Sequence, residues 1–476
     1  MIKGLLYING ELIGEELEKI EVTNPATGEL VGTVPNAGAK ETRQAIEAAQ
    51  AAFGPWSGLT AYERAAYLMK WHDLILTNKR EIAEVLTQEM GKPLAEAEGE
   101  IMYSASFISW FAEEGKRIYG RSVPASVQNK RIQVWKQPVG VVAGISPWNF
   151  PAAMITRKIA PALAAGCTFV GKPAELTPLT AIRLAELAEE AGIPKGVINI
   201  VTGNPQEIGQ EMTSNPIIRK LTFTGSTGVG KLLMRQGAEN MLNLSLELGG
   251  HAPMIILEDA DLDKAVAGVM VSKFRNAGQT CICGNRIYVH KSIEQDFLEK
   301  FKAEVEKLKV GNGLEPGVTI GPLINQSGYE KVEHHVNEAK EKGAAVLTGG
   351  NGWNVNESAY FFEPTILTGV TDDMVIMTEE TFGPIAPVQT FENDQEVIKL
   401  ANNSKFGLSA YVFTESLSRG VKVIEGLDYG IVGWNEGAPS VAQAPFGGMK
   451  ESGLGREGGI EGLEAFLETK YVSIGL

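Results

Sequence analysis

Two of the chain's three cysteines stand two positions apart in Phe274-Arg-Asn-Ala-Gly-Gln-Thr-Cys-Ile-Cys-Gly-Asn-Arg286. Glycine breaks regular structure there, and a thiol offered on a turn can meet a substrate that a thiol on a helix face could not. Cys281 is therefore read as a covalent nucleophile. Three further segments share the same broken style. Asn149 is a polar amide set between prolines and aromatics in Ile145-Ser-Pro-Trp-Asn-Phe-Pro151. Glu247 sits between Leu246 and Leu248, which should desolvate its carboxylate and raise its pKa. The last is Glu379-Glu-Thr-Phe-Gly-Pro384. Each alone fits a structural turn as well as a site; with the Cys281 segment they form a set.

Phosphate chemistry is suggested by Leu221-Thr-Phe-Thr224 running into Gly225-Ser-Thr-Gly-Val-Gly230-Lys231 and then a helix. Free N–H groups and the helix dipole converge at such a turn. The spacing imitates a nucleoside-triphosphate loop, but Leu232 replaces the hydroxyl that would hold magnesium, and Thr227 breaks the dinucleotide pattern G-x-G-x-x-G. Alone, the loop fits a phosphate site or a tight turn. In Gly171-Lys-Pro-Ala-Glu175, Lys172 and Glu175 fall where a strand ends. A carboxylate there accepts hydrogen bonds from a ribose diol and repels a 2′-phosphate, although a solvated Lys/Glu pair reads the same way.

The elements that must carry these groups alternate. Residues 39–118 read as mostly helix, with Leu68, Trp71 and Ile75 at helical spacing. Strands near 131–135, 139–145, 168–172, 197–201 and 221–224 then interleave with helices near 152–164, 178–191, 205–213 and 229–238. Such alternation predicts a parallel, doubly wound α/β sheet. A second α/β series runs from about 250 to 445, with strands at 254–257 and 286–290 and a helix through 293–308. The terminal strand Lys470–Ile474 pairs either locally or with a partner subunit.

A chain of 476 residues predicts two or three domains. Its 58 acidic against 43 basic residues, net charge −15, oppose nucleic acid and anionic membranes as partners. Three cysteines make no disulfide scaffold, and the amino terminus has no leader-like apolar run, so a cytoplasmic, soluble protein is expected. The five histidines show no ligand spacing, so no metal is expected.

From Asn24-Pro-Ala-Thr-Gly28 to Pro445-Phe-Gly-Gly-Met-Lys-Glu-Ser-Gly-Leu-Gly-Arg456 the chain resembles the aldehyde dehydrogenase superfamily, through Pro147–Pro151, Lys172–Glu175, Phe223–Ser226, Glu247–Gly250, Gly278–Cys281 and Glu380–Pro384. The resemblance implies a Rossmann-like cofactor domain (1–119 and 139–249), an α/β catalytic domain (250–445) and a small β oligomerisation arm (120–138 and 446–476), in a homodimer or homotetramer. It implies Cys281 as nucleophile, Asn149 as oxyanion donor with the Cys281 N–H, and Glu247 as the base that activates water. Lys172 and Glu175 would hold the adenosine ribose, and Gly225 and Ser226 the pyrophosphate. Glu380 and Phe382 would hold the nicotinamide ribose, with Ser146 also at the cofactor and Trp148 on its adenosine side. Glu175 makes NAD the expected cofactor, with NADP possible.

Within the superfamily, Ile155–Lys158, Ser272–Cys283 and Trp434–Ser440 are most similar to bacterial succinate-semialdehyde dehydrogenases. That implies Arg157, Arg275 and Ser440 as the grip on a distal carboxylate, for which guanidinium forks are suited. Glutarate or 2-oxoglutarate semialdehyde, a neutral aldehyde, or a catalytically silent relative are the competing readings. Cys283 is a possible disulfide partner of Cys281; as its alternative it is a passive small residue.

Overall fold

The computed structural model describes residues 1–476. An eight-stranded sheet lies at the heart of the first half. Its strands Val141–Ile145, Thr168–Lys172, Ile198–Ile200, Ile218–Thr224 and Asn243–Glu247 run parallel. Val141–Ile145 is flanked by Thr168–Lys172 on one side and Ile218–Thr224 on the other, so the strand order reverses beside it. Ligands of open α/β sheets bind outside the carboxyl ends at such a reversal. Ser146, Lys172, Gly225 and Glu247 all stand at these ends.

The pleat sends neighbouring residues to opposite faces. Val142, Phe169 and Ile198 pack with Ile155, Ile159 and Leu184 of the helices Pro151–Ala165 and Leu179–Glu190. Val141, Ala143, Val170 and Leu221 pack on the other face with Ile46, Ile208 and Leu233. Helices therefore cover both faces, as the alternation predicts. The expected helical region 39–118 forms four helices, Ala39–Ser57, Ala61–Thr77, Lys79–Met90 and Leu94–Glu114.

A seven-stranded sheet organises the second half. Ala252–Ile256, Gly284–His290 and Ile385–Phe391 run parallel at its centre. Residues 446–466 then return to the first sheet, where Gly453–Leu454 pairs antiparallel with Leu246–Glu247. Only the terminal strand Leu467–Gly475 joins the arm, pairing antiparallel with Lys130–Pro138 from Leu467↔Pro138 to Gly475↔Lys130. Of the two pairings open to this strand the local one is present, and its far edge is open. No helix is long and apolar enough to cross a membrane.

Candidate active site

The segment before Cys281 is forced into an unusual path. Asn276, Ala277 and Gly278 have φ of 55°, 54° and 73°, a left-handed run that costs about 1–3 kcal/mol at each non-glycine residue. It persists because the surroundings over-determine it. The Asn276 N–H donates to Glu96 Oε2 (2.8 Å), and Asn276 Nδ2 donates to the carbonyls of Asn149 (3.0 Å) and Gln279 (3.2 Å). Gln279 Nε2 donates to the Pro322 carbonyl (3.2 Å), while the Ile324 N–H donates to Gln279 Oε1 (3.0 Å). A side chain on Gly278 would stand 2.1 Å from the Gly383 carbonyl, so the Cys281 and Glu380–Pro384 segments meet there backbone to backbone.

Cys281 emerges half-buried where two cavities adjoin. The larger, about 400 Å³, is lined by Trp148, Asn149, Gly225, Ser226, Glu380 and Phe382 among others. The smaller, about 30 Å³, is lined by Tyr103, Arg157, Arg275, Ser440 and Phe446 among others. Asn149 Nδ2 donates to the Gln279 carbonyl at 3.0 Å, which ties the amide to the cysteine turn and leaves its second N–H available. Burial pushes the Cys281 thiol up to about 12, against the pull of Arg157.

Glu247 ends its strand fully buried, and neither carboxylate oxygen has a hydrogen-bond partner. Burial, then the nearby Glu457, hold its carboxyl well above the ordinary range. The flanking leucines pointed to this shift, but the whole environment produces it. Gly447, φ 157°, leaves room for the carboxylate, since a side chain there would lie 2.8 Å from Glu247 Oε1.

The residues lining the larger cavity suit the diphosphate and nicotinamide ribose of a dinucleotide. Ser226 caps the helix Thr227–Gly237 by accepting from the Val229 N–H, and Ser226 and Gly225 line the cavity at that helix amino terminus, where anions are favoured. Lys231 is spent on a surface pair with Glu451 (2.7 Å), which leaves no triphosphate-type lysine. Glu380 Oε1 accepts from the Gly250 N–H (3.0 Å), and burial raises its carboxyl to about 7. Phe382 has φ 56°, and Trp148 meets it edge to face at 5.5 Å. Trp148 therefore lies by the Glu380–Phe382 loop, in the cavity that Cys281 also lines. Ser146, Lys172 and Glu175 stand at the strand ends outside the cavity's lining; the Ser146 hydroxyl is buried without a partner.

Arg157 lines the smaller cavity. Its Nε pairs with Glu457 Oε2 at 2.5 Å, the structural ion pair that is the usual alternative to substrate binding, while Nη1 has no partner. The Arg275 guanidinium lies 5.1 Å from the Phe150 ring centroid. Ser440 Oγ is hydrogen-bonded to the Tyr103 hydroxyl at 2.5 Å. Cys283 lines neither cavity; it is fully buried, with Sγ directed to the Lys273 carbonyl (3.6 Å), and all three cysteines are free.

Several residues at the site went unseen in the sequence. Lys158, Glu457 and Thr222 extend the buried network below Arg157. Glu96, Glu100, Tyr103 and Phe107 share one face of the helix Leu94–Glu114. Polar groups at helical spacing on a face that is otherwise buried were the available signal.

Residues 13–472 match the aldehyde dehydrogenase family. The chain is 55% identical over 470 residues to the succinate-semialdehyde dehydrogenase (NADP+) of Escherichia coli, covering 98% of this chain and 97% of that protein. It is 54% identical to the glutarate-semialdehyde dehydrogenase of Pseudomonas aeruginosa, with the same coverage. Among solved structures, an E. coli NADP dependent enzyme superposes with TM-score 0.98 at 54% identity, over 100% of this chain and 98% of that one. These relatives overturn the expectation of NAD, because the E. coli proteins are named for NADP. The physical reason lies in Glu175, whose carboxylate is held by the Lys172 ammonium. A neutralised carboxylate is a poor barrier to a 2′-phosphate. With the match spanning nearly the whole length, the chain belongs to the aldehyde dehydrogenase family.

Proposed function

We propose that the protein oxidises succinate semialdehyde to succinate with NADP, through a covalent intermediate on Cys281. The observation that carries this is the position of Cys281, between the larger cavity and a small one lined by Arg157, Arg275 and Ser440. The Cys281 thiol gives its proton to water in the cavity, its sulfur attacks the aldehyde carbon, and the carbonyl oxygen becomes an oxyanion. The free N–H of Asn149 Nδ2 and the Cys281 backbone N–H receive it, a type of donor worth about 10²–10³ in rate. When bound, NADP supplies the hydride acceptor, held by Gly225, Ser226, Glu380 and Phe382. A thioester on Cys281 follows. Glu247 takes a proton from water, whose oxygen adds to the thioester carbon; the C–S bond breaks and the carboxylate leaves. Arg275 and the free Nη1 of Arg157 grip the distal carboxylate, with Ser440 beside them.

Glutarate semialdehyde is the second reading, favoured by the P. aeruginosa relative. The small volume near Cys281, about 30 Å³, favours the shorter acid. The reading predicts a burst of NADPH with succinate semialdehyde that vanishes in Cys281→Ala. Equal rates with succinate semialdehyde and butanal would refute the carboxylate assignment. Three free cysteines support a cytoplasmic location. The open-edged arm, with Trp135 and Tyr471 exposed, supports a homo-oligomer.

A further inference from the structure

Lys92 is fully buried in the short connection that precedes the helix Leu94–Glu114. Its ammonium donates to the Asn149 backbone carbonyl (2.8 Å), pairs with Glu100 Oε2 (2.5 Å) and lies 3.7 Å from the Phe150 ring centroid. The other oxygen of Glu100, Oε1, accepts from the N–H groups of Ala152 (2.9 Å) and Ala153 (3.2 Å), in the first turn of the helix that carries Arg157 and Lys158. The remaining hold on the Asn149 carbonyl is Asn276 Nδ2, from the cysteine turn.

An amine of this kind is expensive to bury. Removing an ammonium from water costs several kcal/mol even after relaxation, and one carboxylate partner seldom does more than offset it. Stability alone does not explain an ion pair where well-packed apolar residues would serve as well. The geometry instead gives the pair a positional task. Lys92 and Glu100 clamp the backbone on both sides of Phe150, at the Asn149 carbonyl and at the Ala152 and Ala153 N–H groups. That clamp fixes the direction in which the Asn149 side chain leaves the chain. An oxyanion donor works only where charge develops, and a misplacement of about 1 Å is worth on the order of 10² in rate.

We propose that Lys92 is a positioning residue of the reaction, which aims the Asn149 amide at the oxyanion through the Asn149 carbonyl, with Glu100 as its counter-charge. The proposal rests on the assignment of Asn149 as oxyanion donor. Lys92 itself touches neither substrate nor cofactor, since it lines neither cavity.

The test is a double-mutant cycle between Lys92→Met and Asn149→Ala, with rates expressed per NADPH site titrated by fluorescence, so that unfolded material does not count. Lys92→Met is expected to lower kcat by about 10–100-fold, with KM for succinate semialdehyde and NADP changed less than about threefold. Asn149→Ala alone is expected to lose about 10²-fold or more. Because Lys92 acts through Asn149, the double variant should fall no further than about twofold below Asn149→Ala. Losses that multiply, or a Lys92→Met enzyme with wild-type kcat per site, would overturn the proposal. An Asn149→Ala enzyme with undiminished kcat would strike first at the oxyanion assignment and would remove the basis of this inference with it. Should Lys92→Met not fold because Glu100 is left as a buried unpaired charge, Lys92→Met/Glu100→Gln removes both charges, and the same cycle applies.

Discussion

Replacing Arg275 by Met tests the reading of the small cavity most directly. Arg157 already has a partner in Glu457, whereas the Arg275 guanidinium faces the cavity over Phe150. Methionine keeps much of the stem and removes the charge. A charge-assisted hydrogen bond contributes about 1.5–3 kcal/mol, which at 1.36 kcal/mol per decade is roughly 10–150-fold. That factor should appear in kcat/KM for succinate semialdehyde, mostly through KM, because the carboxylate contact is made equally in ground and transition states. Butanal, which has no distal carboxylate, should react at its wild-type rate or faster. The assay is steady-state NADPH formation across both aldehydes. Equal loss for the two substrates would show that Arg275 acts through the cysteine turn and would refute the assignment. The matching change at Arg157 should behave differently. It breaks a buried ion pair, a class of lesion that costs about 3–5 kcal/mol, so a lowered unfolding midpoint should accompany any change in KM.

Glu247 supplies a pH dependence. Its raised carboxyl is neutral at low pH and becomes a base only as pH climbs through its elevated pKa, so thioester hydrolysis should accelerate with rising pH. Glu247→Gln should give a full NADPH burst followed by slow turnover; a steady-state rate equal to wild type would exclude it as the base. Gly278→Ala should abolish activity and lower the unfolding midpoint, because its Cβ would stand 2.1 Å from the Gly383 carbonyl at a φ of 73°. Peroxide should oxidise Cys281 to a sulfenic acid, which the Cys283 thiol converts to a disulfide with loss of water. Inactivation should then be reversible by dithiothreitol in the wild type. A Cys283→Ala enzyme recovering as fully would rule the disulfide out. Because Cys283 Sγ faces the Lys273 carbonyl, the turn at Thr280–Ile282 must rearrange first.

The sequence announced those parts of the site whose job requires broken backbone. Asn149, Gly225, Cys281 and Glu380 each lie within three residues of a proline or another glycine, and alternation placed the strand ends of the first sheet. What stayed hidden is whatever acts across long separations. Lys92 reaches the Asn149 carbonyl from 57 positions away, and Glu457 reaches Lys158 across 299. Nothing local distinguishes either residue from a solvated surface charge. The contact of Trp148 with Phe382, which comes from the other half of the chain, is of the same kind. The cofactor turns on a related point: Lys172 and Glu175 read from the sequence either as a ribose site or as a solvated pair, and the two are paired in the structure.

The return of residues 446–466 to the first sheet bears on the order in which the protein can mature. Gly453–Leu454 supplies the sheet's last edge partner, beside Glu247, and Glu457 supplies the counter-charge for Arg157 and Lys158. At ribosomal speeds of about 5–20 residues per second, Glu457 emerges roughly 15–60 s after Lys158, given the 299 positions between them. During that interval the nascent first half carries two cations destined for burial without the carboxylate that pairs with both. The sheet can begin to form on the ribosome, but its chemistry cannot be completed until the carboxyl-terminal segment is wrapped around it. Until then the Leu246–Glu247 edge lacks its partner strand, and Arg157 and Lys158 lack Glu457.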